Sequence, residues 1–165
     1  MHSAYGQGNF EVGTRIIGAG LGFGNTYGGL HGSQSPAISL HYEQGIWDID
    51  GPGVISLGGY FAYKSYSYDY IVYSLKLNHT LIGIRSAYHY NGLNTTDWDV
   101  YGGVMLAYRI SSVTDNDPYS EWNYNSGLVF SVYLGGRYYF SETVAGFAEL
   151  GSGISVLSLG VAFQF

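Results

Sequence analysis

The sequence predicts an all-β fold, an eight-stranded antiparallel up-and-down β-barrel, from three observations. Eight segments alternate apolar residues with small or polar ones at a period of two, which is the period of a strand with one apolar face. The connections between these segments alternate between long and short, and the last is a tight turn. No segment has the periodicity of an amphipathic helix.

The first four predicted strands lie in the N-terminal half of the chain. Their apolar faces consist of Ile17, Ala19, Leu21 and Phe23 in the first, Ile38, Leu40, Tyr42 and Ile46 in the second, Ile55, Leu57, Phe61 and Tyr63 in the third, and Ile82, Ile84, Tyr88 and Tyr90 in the fourth. The first strand begins on the opposite parity at Ile16, and the fourth does so at Leu77 and Leu81. A change of parity inside a strand indicates a β-bulge or a bend, so we expect one in each of these two strands.

The last four predicted strands follow the same rule. The seventh is a short segment at residues 143–150. The apolar faces of the other three consist of Trp98, Val100, Val104, Leu106, Tyr108 and Ile110 in the fifth, Leu128, Phe130, Val132, Leu134, Tyr138 and Phe140 in the sixth, and Leu157, Leu159, Val161, Phe163 and Phe165 in the eighth. The eight segments run for about 8 to 14 residues, and a strand needs roughly 9 to 11 tilted residues to span the hydrocarbon layer of a membrane.

The lengths of the connections give the predicted barrel a direction. Long connections fall at residues 24–35, 65–74 and 112–126, short ones at 48–53, 91–97 and 141–142, and the tight turn at 151–153. Short turns at one end and longer loops at the other are typical of outer-membrane barrels, whose short turns face the periplasm. Both ends of the chain are then expected on the periplasmic side.

The composition excludes several classes of protein. Charged residues make up 11% of the chain, against roughly 25% in an ordinary soluble domain, while aromatic residues make up 18%. The 165 residues include only 3 prolines and no low-complexity linker, so residues 1–165 are expected to form a single domain. A net charge of -6 provides no basic surface for nucleic acid, and the absence of cysteine excludes disulfides and thiolate metal sites. The histidines lack the spacing of metal ligands, so we expect no metal and no other cofactor.

The placement of the charged residues predicts which face of the barrel meets water. On the predicted parity, nine of them project opposite the apolar face and form a lumen ionic network: Glu11, Arg15, Glu43, Lys64, Arg85, Asp99, Arg109, Arg137 and Glu149. An arginine or lysine on the lipid-facing side costs about 2–4 kcal/mol near the midplane of a bilayer, whereas a soluble barrel carries its charges outside. The pattern therefore predicts a transmembrane barrel.

The predicted network has five basic and four acidic residues, which nearly balance. We expect them to pair across the lumen together with Tyr60, Tyr101, Tyr133 and Tyr139. Because an eight-stranded barrel is just wide enough inside for side chains, the network is expected to plug the lumen and to leave no continuous pore.

The sequence contains neither a candidate transmembrane helix nor a candidate signal peptide. No run of about 18 apolar residues occurs, and the first residues lack a basic region followed by an apolar one. A signal peptide is therefore expected to be absent from this mature chain. With the strand and charge patterns, these features favour a location in a cell outer membrane, in contact with its lipid.

Several glycine-rich and aromatic segments carry a resemblance to a known family. They are residues 18–24, the strand end and turn at 135–141, residues 147–151, and the last strand with its terminal Phe163, Gln164 and Phe165. The chain resembles, over essentially its whole length, the small eight-stranded outer-membrane barrels of Gram-negative bacteria, of the OmpA-transmembrane-domain and OmpX type, and most closely the outer-membrane β-barrel domain proteins of the Bacteroidetes. The resemblance implies that Phe163 and Phe165 form an assembly signal for the barrel-assembly machinery.

Aromatic residues are concentrated at the long connections. Tyr66 and Tyr68 lie at the start of the second long connection, and Tyr119, Trp122 and Tyr124 lie in the third. Aromatic side chains anchor barrels at the membrane–water interface. They are also suited to binding a partner, such as another outer-membrane protein, since tyrosine and tryptophan are enriched among the residues that dominate interfaces.

Two alternative functions rest on short motifs. Ser39, His41 and Glu43 share one face of the second strand, as in a lipid-modifying hydrolase, but such an enzyme needs its nucleophile at the lipid interface. Gly45 and Trp47 resemble the Gly-x-Trp motif of the lipocalins, which are soluble ligand-binding barrels, although this motif lies on a second strand. The sequence favours instead a structural or accessory membrane component without enzymatic activity.

Overall fold

The computed structural model describes residues 10–24, 33–69, 74–115 and 126–165. In these ranges the strands are β1 (Arg15–Phe23), β2 (Ser33–Gln34), β3 (Ala37–Ile49), β4 (Gly53–Asp69), β5 (Ser74–Tyr90), β6 (Trp98–Asp115), β7 (Gly127–Tyr139), β8 (Val144–Gly151) and β9 (Leu157–Gln164). Within the described ranges, no helix is long and apolar enough to cross a membrane.

The eight long strands form one antiparallel sheet that closes on itself. Starting from β1 they follow the order of the chain from β3 to β9, and β9 pairs with β1 again. The two-residue β2 adds to β4 near one end of the barrel. We call that end the loop end, and the opposite end, where the short connections after β3, β5 and β7 lie, the turn end. The predicted fold class, a closed all-β barrel of eight antiparallel strands, is confirmed.

The expected bulges in β1 and β5 are absent. Both strands keep an unbroken register with both of their neighbours. The expectation is wrong because apolar side chains also point into the barrel, where Ile16, Leu77 and Leu81 are buried. A register shift lies instead in β3, between Gly45 and Trp47.

β4, β5 and β6 extend beyond the predicted strands at the loop end. The pairing of β4 with β5 continues as far as Asp69 and Ser74, so most of the long connection predicted at residues 65–74 is strand. The outward residues of this extension are polar: Ser65, Ser67, Lys76, Asn78, Ser112 and Thr114. These three strands therefore rise past the apolar part of the barrel with an exterior suited to water.

Between this extension and the turn end, the outer surface is an apolar belt. On β6 the large side chains that point outward are each 41–51% exposed: Trp98, Val100, Val104, Leu106, Tyr108 and Ile110. Trp98 and Tyr108 are 10 residues apart, which at about 3.3 Å per residue and a strand tilt of about 40° corresponds to roughly 25 Å along the barrel axis. The apolar band of an outer-membrane barrel has about this height.

Aromatic side chains mark the edge of the belt at the turn end. The rings of Trp98 and Tyr138 lie 5.0 Å apart, and those of Tyr138 and Phe140 lie 5.4 Å apart. Trp47, on β3, is 67% exposed near the same end. Their position is that of the interfacial girdle of a membrane barrel.

Candidate functional site in the barrel lumen

Several buried charged side chains meet inside the barrel. We call this group the lumen cluster; it consists of Glu43, Arg85, His89, Asp99, Arg137 and Glu149, together with the phenols of Tyr101 and Tyr133. Glu43 on β3 contacts both arginines: its Oε1 lies 2.9 Å from Nε of Arg85, and its Oε2 accepts a hydrogen bond from Nη2 of Arg137. The arginines lie on β5 and β7, so these contacts cross the lumen and join strands that share no ladder hydrogen bonds.

Arg85 also holds Glu149, on β8. Its Nη2 donates to Oε1 of Glu149 at 2.7 Å, and its Nη1 donates to Oε2 at 3.3 Å. This is the bidentate geometry of strong arginine–carboxylate pairs. The hydroxyl of Tyr101 donates to the same Oε1 at 2.7 Å, and Nε of Arg85 donates to the hydroxyl of Tyr133 at 3.0 Å. Glu149 therefore has three donors from two neighbouring side chains.

The second arginine begins a chain of contacts toward the turn end. Nη1 of Arg137 donates to Oδ2 of Asp99 at 2.9 Å, and Oδ1 of Asp99 lies 2.9 Å from Nδ1 of His89. Nε2 of His89 lies 3.1 Å from the hydroxyl oxygen of Ser56. Each ring nitrogen of this histidine thus has a polar neighbour in an otherwise buried site.

Aromatic rings cover both guanidinium groups. Cζ of Arg137 lies 4.3 Å from the ring centroid of Tyr101, and Cζ of Arg85 lies 4.2 Å from that of Tyr133, both within the range of a cation–π contact. A glycine provides room for one of these rings: a Cβ atom on Gly135 would lie 2.6 Å from the ring of Tyr101. The glycine-rich inner faces of the strands therefore make space for the lumen cluster.

The cluster is sensitive to the loss of any member. A buried ion pair contributes little beyond what well-packed apolar side chains would, but removing one partner costs about 3–5 kcal/mol because a charge remains buried alone. Here three carboxylates are held by two arginines and one histidine. Replacement of any one of the arginines or carboxylates therefore removes a partner from at least one buried charged group.

Phe10, which precedes β1, lies at the turn end of the lumen. Its side chain is 0% exposed, and its ring stacks on His89 with 3.6 Å between centroids and 5° between planes. It belongs to an apolar layer with Ile16, Val54, Tyr139, Ala145, Phe147 and Ala162. Phe10 was not predicted from the sequence, because a single aromatic residue outside a strand has no periodic pattern to mark it.

The connection between β8 and β9 folds inward toward the loop end. Ile154 is 1% exposed and packs in a second apolar layer with Leu81, Met105 and Tyr133. Between this layer and the lumen cluster lies a cavity of about 30 Å³, lined in part by Arg85, Tyr133 and Glu149. A cavity of that size holds about one or two water molecules.

The structure brings together five of the nine charged residues predicted for the lumen: Glu43, Arg85, Asp99, Arg137 and Glu149. Lys64 and Arg109 also lie on the inner side, nearer the loop end. Lys64 is buried, donates to the carbonyl of Gly24 and lies 5.0 Å from the ring centroid of Tyr66, while Arg109 is half-buried.

Glu11 and Arg15 do not lie in the lumen, contrary to the prediction. Glu11 is exposed in the turn before β1, where its carbonyl accepts a hydrogen bond from the Thr14 amide at 3.0 Å. Arg15 is exposed on the outward side of β1, at the turn end. Because β1 has no bulge, Arg15 shares the parity of Ile17 and points outward with it.

The prediction of a partner-binding role for Tyr66 required this residue to lie in a loop, but it lies in β4. The pairing of β4 with β5 continues past it and turns its side chain inward, where it is 3% exposed and its ring packs edge-on against His79 at 5.6 Å. Tyr68 also lies in β4. The other three predicted loop aromatics, Tyr119, Trp122 and Tyr124, lie outside the described residues.

Both aromatic residues of the predicted assembly signal are exposed. Phe163, on β9, is 50% exposed, and Phe165, just beyond this strand, is 66% exposed. The amide of Phe165 donates to the carbonyl of Arg15 at 3.0 Å, which continues the pairing of β9 with β1. Their role in assembly stays a prediction.

Two sets of residues have the composition of a hydrolase site. The first is the set predicted from the sequence: Ser39, His41 and Glu43, all on β3. Ser39 donates to the carbonyl of Gly20 at 3.4 Å, and the buried ring of His41 packs edge-on against Phe147 at 5.1 Å.

The contacts Asp99–His89–Ser56 have the distances of an acid–base–nucleophile relay. However, Ser56 is 0% exposed, and the ring of Phe10 covers His89. The Ser56 hydroxyl therefore has no room beside it for a substrate in this conformation.

Neither a protein-family model nor a curated protein sequence matches the chain. Solved structures match it in fold. Ail, the attachment invasion locus protein of Yersinia pestis, solved in complex with the heparin analogue sucrose octasulfate, matches with a TM-score of 0.60 and 12% identity over 94% of this chain and 100% of that one. The outer membrane protein OprG from Pseudomonas aeruginosa matches with a TM-score of 0.56 and 11% identity over 96% and 99% of the two chains. Ail in a phospholipid bilayer nanodisc matches with a TM-score of 0.51 and 10% identity over 93% and 99%.

These similarities define the class of protein by its fold. The chain has the fold of the small eight-stranded outer-membrane barrels, and this part of the predicted resemblance is confirmed. None of these structures supports the narrower resemblance to the Bacteroidetes proteins. The matched proteins are outer-membrane proteins, and the apolar belt of this barrel is the surface that the predicted outer-membrane location requires.

Proposed function

We propose that this chain is an integral outer-membrane barrel with a closed lumen, and that it acts as a structural or accessory component without channel or enzymatic activity. The burial of side chains at successive levels of the lumen supports this proposal. Phe10 occupies the turn end, the lumen cluster the middle, and Ile154 the part toward the loop end. By the lengths of the connections, the turn end faces the periplasm and the loop end faces the outside.

The closure rests on side chains from many strands rather than on one constriction. A hydrated ion would have to displace the contacts of Glu43 with both arginines, and then pass the apolar layer around Ile154. The cavity of about 30 Å³ beside Ile154, Arg85 and Glu149 has room for a water molecule or two.

The proposal predicts that the barrel does not conduct ions. Purified protein inserted into planar lipid bilayers in concentrated potassium chloride is expected to show no current steps, because buried side chains of the described residues occupy the lumen. Insertion is checked independently by the different gel mobility of boiled and unboiled protein recovered from the same membranes. Regular current steps from protein that passes this check would contradict the closed lumen.

The absence of enzymatic activity is supported by the surroundings of the hydroxyl groups. The hydroxyl of Ser39 donates to a backbone carbonyl, and that of Ser56 lies 3.1 Å from Nε2 of His89, whose ring stacks on Phe10. Both residues lie inside the barrel at most 3% exposed, away from the lipid interface where an acyl chain would arrive. A nucleophile in either place lacks access to a lipid substrate.

The proposal includes a partner outside the cell or in the same membrane. β4, β5 and β6 rise past the apolar belt with a polar exterior, and the chain that follows β6 contains Tyr119, Trp122 and Tyr124. Tyrosine and tryptophan are enriched among the residues that dominate protein interfaces.

Serine at Tyr119, Trp122 and Tyr124 is expected to abolish copurification of that partner from solubilised membranes. Tyrosine and tryptophan side chains often dominate the binding energy of an interface, so their loss is expected to remove its anchors. The triple variant is compared with a variant that has serine at Tyr108, which lies in the apolar belt and is expected to retain the partner. Equal recovery of partners by the triple variant and the unaltered protein would exclude this role.

A further inference from the structure

We propose that residues 10–14 form a latch at the periplasmic mouth of the barrel. Phe10 is the plug of this latch: it occupies a slot formed by His89 and Asn91, and it leaves this slot when the latch is released. The inference rests on the proposed function for the orientation of the barrel and for its closed lumen. It adds a part that moves: release of the latch would admit water to the polar side chains beneath Phe10 while the rest of the lumen stays closed.

The slot binds both the ring of Phe10 and its backbone carbonyl. One face of the Phe10 ring lies flat on His89, with 3.6 Å between the ring centroids. The carbonyl of Phe10 accepts a hydrogen bond from Nδ2 of Asn91 at 2.8 Å. His89 is the next-to-last residue of β5, and Asn91 directly follows that strand, so both contacts are made by one strand end at the turn end of the barrel.

The other residues of the latch form a tight turn against β3. The amide of Gly13 donates to the carbonyl of Gly45 at 2.8 Å, and the amide of Gly45 donates to the carbonyl of Thr14 at 2.9 Å. Gly13 has a φ of 94°, a backbone conformation that favours glycine. A Cβ atom on Gly45 would lie 2.2 Å from the carbonyl oxygen of Glu11, so the turn fits only where β3 has a glycine.

The latch is fastened by fewer contacts than the wall that it closes. Residues 10–14 precede β1, and the two backbone hydrogen bonds that tie them to β3 are both made with Gly45. Val12 is 53% exposed and Glu11 is exposed, so the middle of the turn packs little apolar surface. Segments with few buried contacts open at a lower free energy than core strands.

Beneath the plug lies a polar group that release would uncover. The stacked histidine contacts Asp99 on one ring nitrogen and Ser56 on the other, at 2.9 and 3.1 Å. Ser56 is 0% exposed with the plug in place. A thiol at this position therefore reports whether the plug is in its slot.

Substituted-cysteine accessibility tests the latch without background, because the chain contains 0 cysteines. S56C is combined with Phe10→Ala or, as the matched control on the same turn, with Val12→Ala. The folded proteins in detergent are treated with a charged, membrane-impermeant thiosulfonate. We expect S56C alone and with Val12→Ala to react slowly, and the combination with Phe10→Ala to react at least tenfold faster. Equal rates in all three proteins would overturn the latch.

A second variant covers the case in which Phe10→Ala does not fold. Asn91→Ala removes the hydrogen bond to the Phe10 carbonyl without altering the Phe10 side chain. S56C with Asn91→Ala is therefore expected to react faster than S56C alone, and an unchanged rate would count against the latch. Ion conductance separates this inference from the proposed function. Current steps from the unaltered barrel would refute the closed lumen, while the thiol rates would still decide whether Phe10 is a releasable plug.

Discussion

Replacing Arg137 with methionine is expected to lower the free energy of unfolding by about 3–5 kcal/mol, since it leaves two carboxylates buried without their shared partner. The guanidinium group contacts both Glu43 and Asp99, and its side chain is 0% exposed. Methionine retains much of the side-chain volume, so the effect isolates the charge and the hydrogen bonds. The measurement is equilibrium unfolding by guanidinium chloride of barrels folded into lipid vesicles, followed by tryptophan fluorescence.

Arg15→Met provides the matched control for that experiment. Arg15 is an arginine on the same barrel near the turn end, but it is exposed and points outward. Its replacement is expected to change the free energy of unfolding by no more than about 0.5 kcal/mol. If the two variants were equally stable, the lumen cluster would not hold the barrel together in the way that its contacts indicate.

The fold was predictable because a membrane barrel imposes a simple rule on every strand. Residues such as Val104 and Leu106 meet lipid, while Asp99 and Arg137 on the other face meet only other side chains. This rule gives a period of two that needs no knowledge of distant contacts. The charged residues on the inner faces of β3, β5, β6, β7 and β8 were therefore predictable together.

The predictions failed at positions where the alternation of lipid-facing and inward-facing residues does not decide the placement of a side chain. Arg15 lies at the end of β1, where a charged side chain on the outer face can reach the interface, so its outward position costs little. Tyr66 lies past the apolar belt, where both faces of the strand are free of lipid and parity no longer separates apolar from polar residues. Phe10 and Ile154 belong to connections, and their burial depends on partners such as His89 that are far away in the chain.

The second large effect is expected on the outer surface. Val104 points outward near the middle of the apolar belt, between Trp98 and Tyr108 on the same strand, and is 46% exposed. Arginine at this position is expected to lower the free energy of unfolding in a bilayer by about 2–4 kcal/mol, because its charge meets lipid near the midplane. On a soluble barrel the same exposed position would accept arginine at almost no cost.

The central claim, that this barrel has its charges inside and lipid outside, is tested most directly by the free energies of unfolding of Val104→Arg and Ser112→Arg in lipid vesicles. Ser112 is on the same face of β6 but lies past the belt and is exposed. The predicted result is a loss of about 2–4 kcal/mol for Val104→Arg and of about 0–1 kcal/mol for Ser112→Arg. Equal losses at the two positions, or a larger loss at Ser112, would contradict the claim.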